Sequence, residues 1–131
     1  MEHRIFIDDW RKPSSKHPDG DAWILCTSFD DFEQVLKEII EKKETISEIS
    51  FDYILEDRNY DGSDCFKLLA RSIIDKTLPL PNKIYIHSEF PKAEEQFRGI
   101  AMSLETHLDV DIQMIKIHEN GKHTIVKTWG E

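Results

Sequence analysis

Three short apolar runs in this chain each give way abruptly to residues that can do chemistry. Arg4-Ile5-Phe6-Ile7 ends in Asp8-Asp9, the run from Ile46 to Leu55 carries Asp52 near its end, and Lys83-Ile84-Tyr85-Ile86 ends in His87-Ser88. Carboxylates gathered in one cleft repel one another, and a hard dication relieves that repulsion. Mg²⁺ takes one or two carboxylates, a backbone carbonyl and several waters. Asp8, Asp9 and Asp52 are therefore the expected ligands of Mg²⁺ or Mn²⁺. A single strand-end Asp would be an ordinary cap or a solvent-facing acid; a pair on one strand with a third on another points to a site. His87, with an ordinary pKa of about 6.5, is the expected general acid–base. Arg11 has the fork geometry to hold a phosphate bidentately, and a surface salt bridge is its bland alternative. Ser88 suits a phosphate oxygen. No Gly-x-Ser-x-Gly elbow surrounds it, which argues against a nucleophile.

These residues need a scaffold that brings three strand ends together. Arg4–Ile7 reads as a buried strand, 12–21 as a loop rich in Pro, Ser, Gly and Asp, and Trp23–Cys26 as a second strand. Thr27 or Ser28 caps a helix carrying Phe29, Phe32, Val35, Leu36, Ile39 and Ile40 at helical spacing, and Lys42 and Lys43 suit its end. Ile46–Leu55 is a third strand. Asp57–Asp64 is a loop, with Ser63 or Asp64 as the expected cap of a second amphipathic helix through Cys65, Phe66, Leu69 and Ile73. Lys83–Ser88 is a fourth strand and Ala93–Leu108 a third helix. Val110–Ile117 alternates apolar and polar residues, and Asn120-Gly121 separates it from Thr124-Ile125-Val126. Asn-Gly between strand-like runs signals a hairpin. The alternation predicts an α/β fold: a three-layer sheet of flavodoxin or receiver type, order 2-1-3-4-5, with a C-terminal antiparallel strand in place of the last helix. Ligands of such sheets bind beyond the carboxyl ends of the strands.

The 131 residues suit a single domain over 1–131. Net charge is −9 and no basic run exists, which excludes holding duplex nucleic acid by its phosphates. No apolar run approaches the roughly 20 residues of a membrane span, and the first strand begins too early for a signal peptide. Cys26 and Cys65 lie far apart without a CxxC motif and read as buried thiols in a reducing, cytoplasmic setting. Trp10, Trp23 and Trp129 read as packing residues. His17, His107, His118 and His123 lack metal-ligand spacing.

Four motifs in order resemble one family. Ile5-Phe6-Ile7-Asp8-Asp9-Trp10-Arg11, Ile49-Ser50-Phe51-Asp52-Tyr53-Ile54-Leu55, Asp61-Gly62-Ser63-Asp64 and Ile84-Tyr85-Ile86-His87-Ser88-Glu89-Phe90-Pro91 are similar to the patterns of the cyclic-phosphate processing receiver-like family. That family is a variant of the two-component receiver fold. The resemblance, over about residues 4–100, implies a metal-assisted pocket acting on cyclic phosphates. Asp8, Asp9, Arg11, Asp52, His87 and Ser88 match its motifs. Ile54 stands where the family has a second Asp, and Phe90 where it has Asn. In ordinary receivers the third-strand Asp accepts phosphate and the paired acids hold Mg²⁺. There the ion also takes a backbone carbonyl two residues past that Asp (here Ile54), and a Lys after the fifth strand completes the site. Lys116 lies within the expected fifth strand instead.

The resulting expectation is a metal-assisted phosphoesterase-like protein acting on a small cyclic phosphate or a nucleotide end, with a small phosphate-containing ligand. The alternative is a non-catalytic receiver-like binding module that holds a ligand or a protein partner without turnover, such as a phage-encoded regulator. Ile54 and Phe90 favour the second reading; Arg11, His87 and Ser88 favour the first.

Overall fold

The computed structural model describes residues 1–9, 22–53, 55, 59–88, 90–110, 112–118 and 121–127. The expectations for Trp10, Arg11, His17, Ile54, Asn120 and Trp129 lie outside them. Among the described residues the chain runs β1 (Glu2–Ile7), β2 (Trp23–Cys26), α1 (Phe29–Glu41), β3 (Thr45–Phe51), α2 (Gly62–Ile74), β4 (Lys83–Ile86), α3 (Pro91–Leu108), β5 (Met114–Ile117) and β6 (His123–Lys127). The strands form one sheet, ordered β2-β1-β3-β4-β5-β6. All neighbours are parallel except β5 and β6, which pair antiparallel with Ile115 opposite Ile125 and Lys116 opposite Thr124. This is the receiver-like α/β topology, with a strand where a last helix would stand. Gly121, beside the hairpin, has φ 88°, the left-handed region that glycine enters without a Cβ penalty.

Strand alternation divides the sheet into two faces. Ile5 and Ile7 of β1, Ile49 and Phe51 of β3, and Ile84 and Ile86 of β4 share a buried core with Phe32, Leu36 and Ile39 of α1, Phe66 and Leu69 of α2, and Phe97 and Leu104 of α3. All three helices thus cover the same face. The physical reason is the right-handed crossover: β2 to β3, β3 to β4 and β4 to β5 all step in one direction across the sheet, so their helices fall on one side. The step back from β1 to β2 is the exception, and most of its connection lies outside the described residues.

The opposite face carries a second cluster of Phe6, Trp23, Tyr85 and Ile117. It also holds a buried polar group. Arg4 Nε pairs with Glu48 Oε2 at 2.6 Å, and the Tyr85 hydroxyl donates to Glu48 Oε1 at 3.0 Å. Burial, reinforced by Glu48, pushes the Tyr85 pKa upward.

Local chemistry sets the element ends. Ser28 caps α1, its hydroxyl accepting from Asp31 N at 3.1 Å. Asp61, rather than Ser63 or Asp64, caps α2: its carboxylate accepts from the backbone N–H of Ser63 and of Asp64, and Asp64 reaches back to Asp61 N at 2.9 Å. This is a reciprocal capping box. β3 stops at Phe51, not Leu55, because Tyr53 O turns to accept from Gly62 N at the start of α2. β5 begins only at Met114, since α3 runs to Leu108 and Asp109 leaves it in a left-handed conformation. α3 starts at Pro91, two residues before the expected Ala93, with a proline suited to the first helical turn.

Candidate metal centre

The sheet places its functional side chains by register. Ile7 is level with Phe51, and Phe51 with Ile86. Asp8, Asp52 and His87 are therefore each the first residue past three adjacent strands. The ladder continues through them, with Asp52 N donating to Ile7 O and His87 N to Phe51 O, both at 3.0 Å. Equal register and equal parity send all three side chains the same way. They share the face of Phe6, Ser50 and Tyr85, away from the helices.

The result is a compact, buried cluster. One ligand atom from each of Asp8, Asp52 and His87 lies within 4.8 Å of the other two, and the residues are 2%, 5% and 4% exposed. His87 Nε2 is 3.1 Å from Asp8 Oδ2, and His87 Nδ1 is 2.7 Å from Ser50 Oγ. The imidazole stacks on Phe6 with ring centres 4.2 Å apart and planes 7° from parallel. Asp52 Oδ1 accepts from Tyr53 N at 2.8 Å, which holds the carboxylate over its own turn.

Two buried carboxylates and an imidazole are a donor set that divalent cations accept, so the cluster could hold a metal ion. It differs from the set expected from sequence in one member. Asp9, one residue further along than Asp8, falls on the other parity and is not part of the three-residue group, although its Oδ1 is screened from solvent. His87, expected as an acid–base, stands among the potential ligands.

Ser88 is buried, and its hydroxyl accepts from the Phe90 N–H at 3.2 Å just ahead of α3. Phe90 is 36% exposed and stacks on Tyr53, centroids 5.1 Å apart. Tyr53 has its pKa raised by burial first and then by the charge of and hydrogen bond to Asp61. Phe29 and Tyr60 form a second stacked pair at 4.0 Å, and Tyr60 is 40% exposed. Both pairs sit in segments that follow strand ends. Lys116 is level with Ile86 and pairs with Glu94 of α3 at 3.1 Å.

The sheet order, the strand-end acids and the His-Ser pair coincide with one family pattern. The family model for the cyclic-phosphate processing receiver domain matches residues 3–103. The chain belongs to that family. No curated protein and no solved structure matches it. As a cyclic-phosphate processing receiver domain, it keeps the strand-end acids of receivers and adds a buried histidine to them.

Two residues of this receiver domain's site escape a reading of types alone. Ser50 looks like a filler within Ile49-Ser50-Phe51, yet its hydroxyl is the partner of His87. The available signal was parity: Glu48, Ser50 and Asp52 alternate with Ile49 and Phe51, so one face of the strand is polar. Asp61 reads as a loop residue, yet Asp61-x-x-Asp64 has the spacing of a capping box. Among the described residues no helix is long and apolar enough to cross a membrane. Cys26 and Cys65 are both buried and not joined in a disulfide.

Proposed function

We propose that this receiver domain binds a divalent cation at Asp8, Asp52 and His87 and uses it to process a small cyclic phosphate. The observation that carries the reading is the level row of three buried, strand-end ligands in a chain of this family. A cation bound there would polarise a phosphoryl oxygen as a Lewis acid. The protein's own groups do the rest. Asp8 and Asp52 supply the charge that attracts the ion into a buried site. Ser88, whose accepting hydroxyl still carries a proton to donate, holds a phosphate oxygen. Arg11, two residues beyond Asp9, supplies a guanidinium for the phosphate.

The aromatic pair of partly buried Tyr53 and exposed Phe90 supports a base-bearing ligand over a bare phosphate. Tyr53 follows Asp52 directly and Phe90 is tied to Ser88 by a hydrogen bond, so their stack adjoins the ends of the strands that lead into Asp52 and His87. An aromatic face at that place offers a nucleobase a stacking surface. Phe90 thus gives the family's Asn position a different use.

A second reading, a binding module without turnover, is favoured by one specific observation. Both ring nitrogens of His87 are already engaged, by Ser50 and by Asp8, so proton transfer through His87 requires breaking one of those bonds. The deciding experiment incubates 2′,3′-cyclic nucleotides with Mg²⁺ or Mn²⁺ and the protein, beside Asp52→Asn. Metal-dependent ring opening lost in the variant supports catalysis. Metal-dependent binding of the nucleotide without product supports the module.

A further inference from the structure

We infer that Ser50 is a positioning residue that sets the tautomer of His87 and thereby makes its Nε2 available to a cation. This rests on the cation reading above. With Asp8 as a carboxylate, which only accepts, the 3.1 Å contact requires the proton on His87 Nε2. In the neutral imidazole Nδ1 then bears the lone pair, and the Ser50 hydroxyl, 2.7 Å away, is placed to donate to it. In this form His87 offers no lone pair to an ion.

Ser50 permits the other form without any movement of the ring. A hydroxyl both donates and accepts. When the proton sits on Nδ1 instead, the same 2.7 Å contact is made with Nδ1–H donating and Ser50 Oγ accepting. Nε2 is then a bare nitrogen beside Asp8 Oδ2. The exchange balances: as the cation enters, the Nε2 proton leaves to solvent and one from solvent reaches Nδ1, so the imidazole begins and ends neutral. No side chain has to swing. Phe6 holds the ring plane by stacking, and Ser50, fully buried, is fixed as the penultimate residue of β3. Two ligands at about 2.1 Å from an ion and at a right angle lie about 3.0 Å apart, close to the separation of Nε2 and Asp8 Oδ2. The hydrogen bond of the metal-free protein thus holds two ligands near the spacing of neighbouring coordination positions. An alanine at position 50 would remove the Ser50 Oγ partner of Nδ1–H, which disfavours the form that binds.

The test uses Zn²⁺ as a diamagnetic probe and reads the two ring nitrogens of His87 by long-range ¹H–¹⁵N correlation. The expected result is an Nε2–H ring without metal, and an Nδ1–H ring with ligated Nε2 once Zn²⁺ is added. Ser50→Ala should weaken Zn²⁺ binding by about 10–100-fold, the usual effect of removing an outer partner of a ligating histidine, while urea denaturation shows it folded. If His87 ligates Zn²⁺ through Nε2 but Ser50→Ala binds Zn²⁺ as tightly, the inference about Ser50 is overturned and the cation reading stands; if Zn²⁺ binds the wild type while His87 keeps its Nε2 proton, the inference is overturned and the cation reading loses His87 as a ligand. If the wild type binds no Zn²⁺ at this cluster, both fall. Should Ser50→Ala fail to fold, the ring nitrogens of the wild type decide alone.

Discussion

The α-carbon of Gly62 lies against the main chain of Asp52. A Cβ on Gly62 would overlap the Asp52 carbonyl oxygen, approach its carbon to 2.8 Å and meet Tyr53 Cα at 3.1 Å. Gly62 N also donates to Tyr53 O at 2.7 Å. The first turn of α2 and the segment that carries Asp52 are thus one packed unit. Gly62→Ala should destabilise the protein by about 1–3 kcal/mol through overpacking, although alanine is the better helix former by about 1 kcal/mol. A urea midpoint equal to or above the wild type's would contradict this.

Asp52→Asn separates the electrostatics of the site from its packing. The amide oxygen can keep the contact to Tyr53 N, while one of two neighbouring buried charges disappears. The variant should lose affinity for Mn²⁺ by more than about tenfold, since outer partners alone are worth that much. Without metal it should be at least as stable as the wild type, because like charges no longer repel. Calorimetric titration and urea denaturation measure the two effects, and a less stable metal-free variant would show that the carboxylate has a net favourable role.

The imidazole should set the ion preference. Carboxylates suit Mg²⁺ and Mn²⁺ alike, whereas a nitrogen ligand favours the transition ion. Mn²⁺ should therefore bind more tightly than Mg²⁺, and His87→Ala should narrow the difference. Competition of Mg²⁺ against Mn²⁺, followed by the relaxation of water protons, reads this directly. Equal preference in wild type and variant would place His87 outside the coordination sphere.

The stack of Phe90 on Tyr53 gives a ligand test. Phe90→Ala should weaken a cyclic nucleotide by about 1–3 kcal/mol, the worth of one base on an aromatic side chain, and leave inorganic phosphate unaffected. Equal losses for both ligands would mean that the change disturbs Ser88, whose hydroxyl is bonded to Phe90 N, rather than a base platform.

The thiols predict an alkaline weakness. Burial, with a smaller contribution from Asp31, pushes Cys26 from 9.0 up to about 12. A folded-state pKa above the unfolded one means the folded chain holds the proton more tightly. Its stability is complete below about pH 9 and is lost as pH rises from there toward 12. Tyr85, also raised, acts in the same direction from about pH 10 upward. Urea midpoints measured on both sides of pH 9 should fall with pH in the wild type and fall less in Cys26→Ala. Both thiols should resist alkylation until the protein unfolds. A flat profile would remove the linkage.

Much of this was legible in the residues themselves. Short apolar runs bounded by polar residues, such as Ile5-Phe6-Ile7 and Ile84-Tyr85-Ile86, read as strands buried on both faces. Phe32, Leu36 and Ile39 can share a core only from one side of a helix. Asn120-Gly121 placed the reversal between β5 and β6. The motif order then identified the family, and with it the end of the sheet where Asp8, Asp52 and His87 would meet. Element ends were less legible where long-range contacts decide them. Tyr53 and Ile54 are strand-forming residues, yet β3 ends at Phe51 because the chain must turn to reach α2 at Gly62.

The sequence by itself determined the strand and helix order, the positions of the strand-end acids and the presence of a histidine among them, because these follow from local periodicity and residue type. Tertiary structure alone decided which of them meet. Side-chain direction alternates along a strand, and the level of one strand against the next is set by the sheet ladder rather than by either strand. Asp8 and not Asp9 therefore shares the cluster with Asp52, and His87 is drawn into it, held between Asp8 and Ser50 and backed by Phe6. Three residues separated by 44 and 35 positions become neighbours only when Ile7, Phe51 and Ile86 come level.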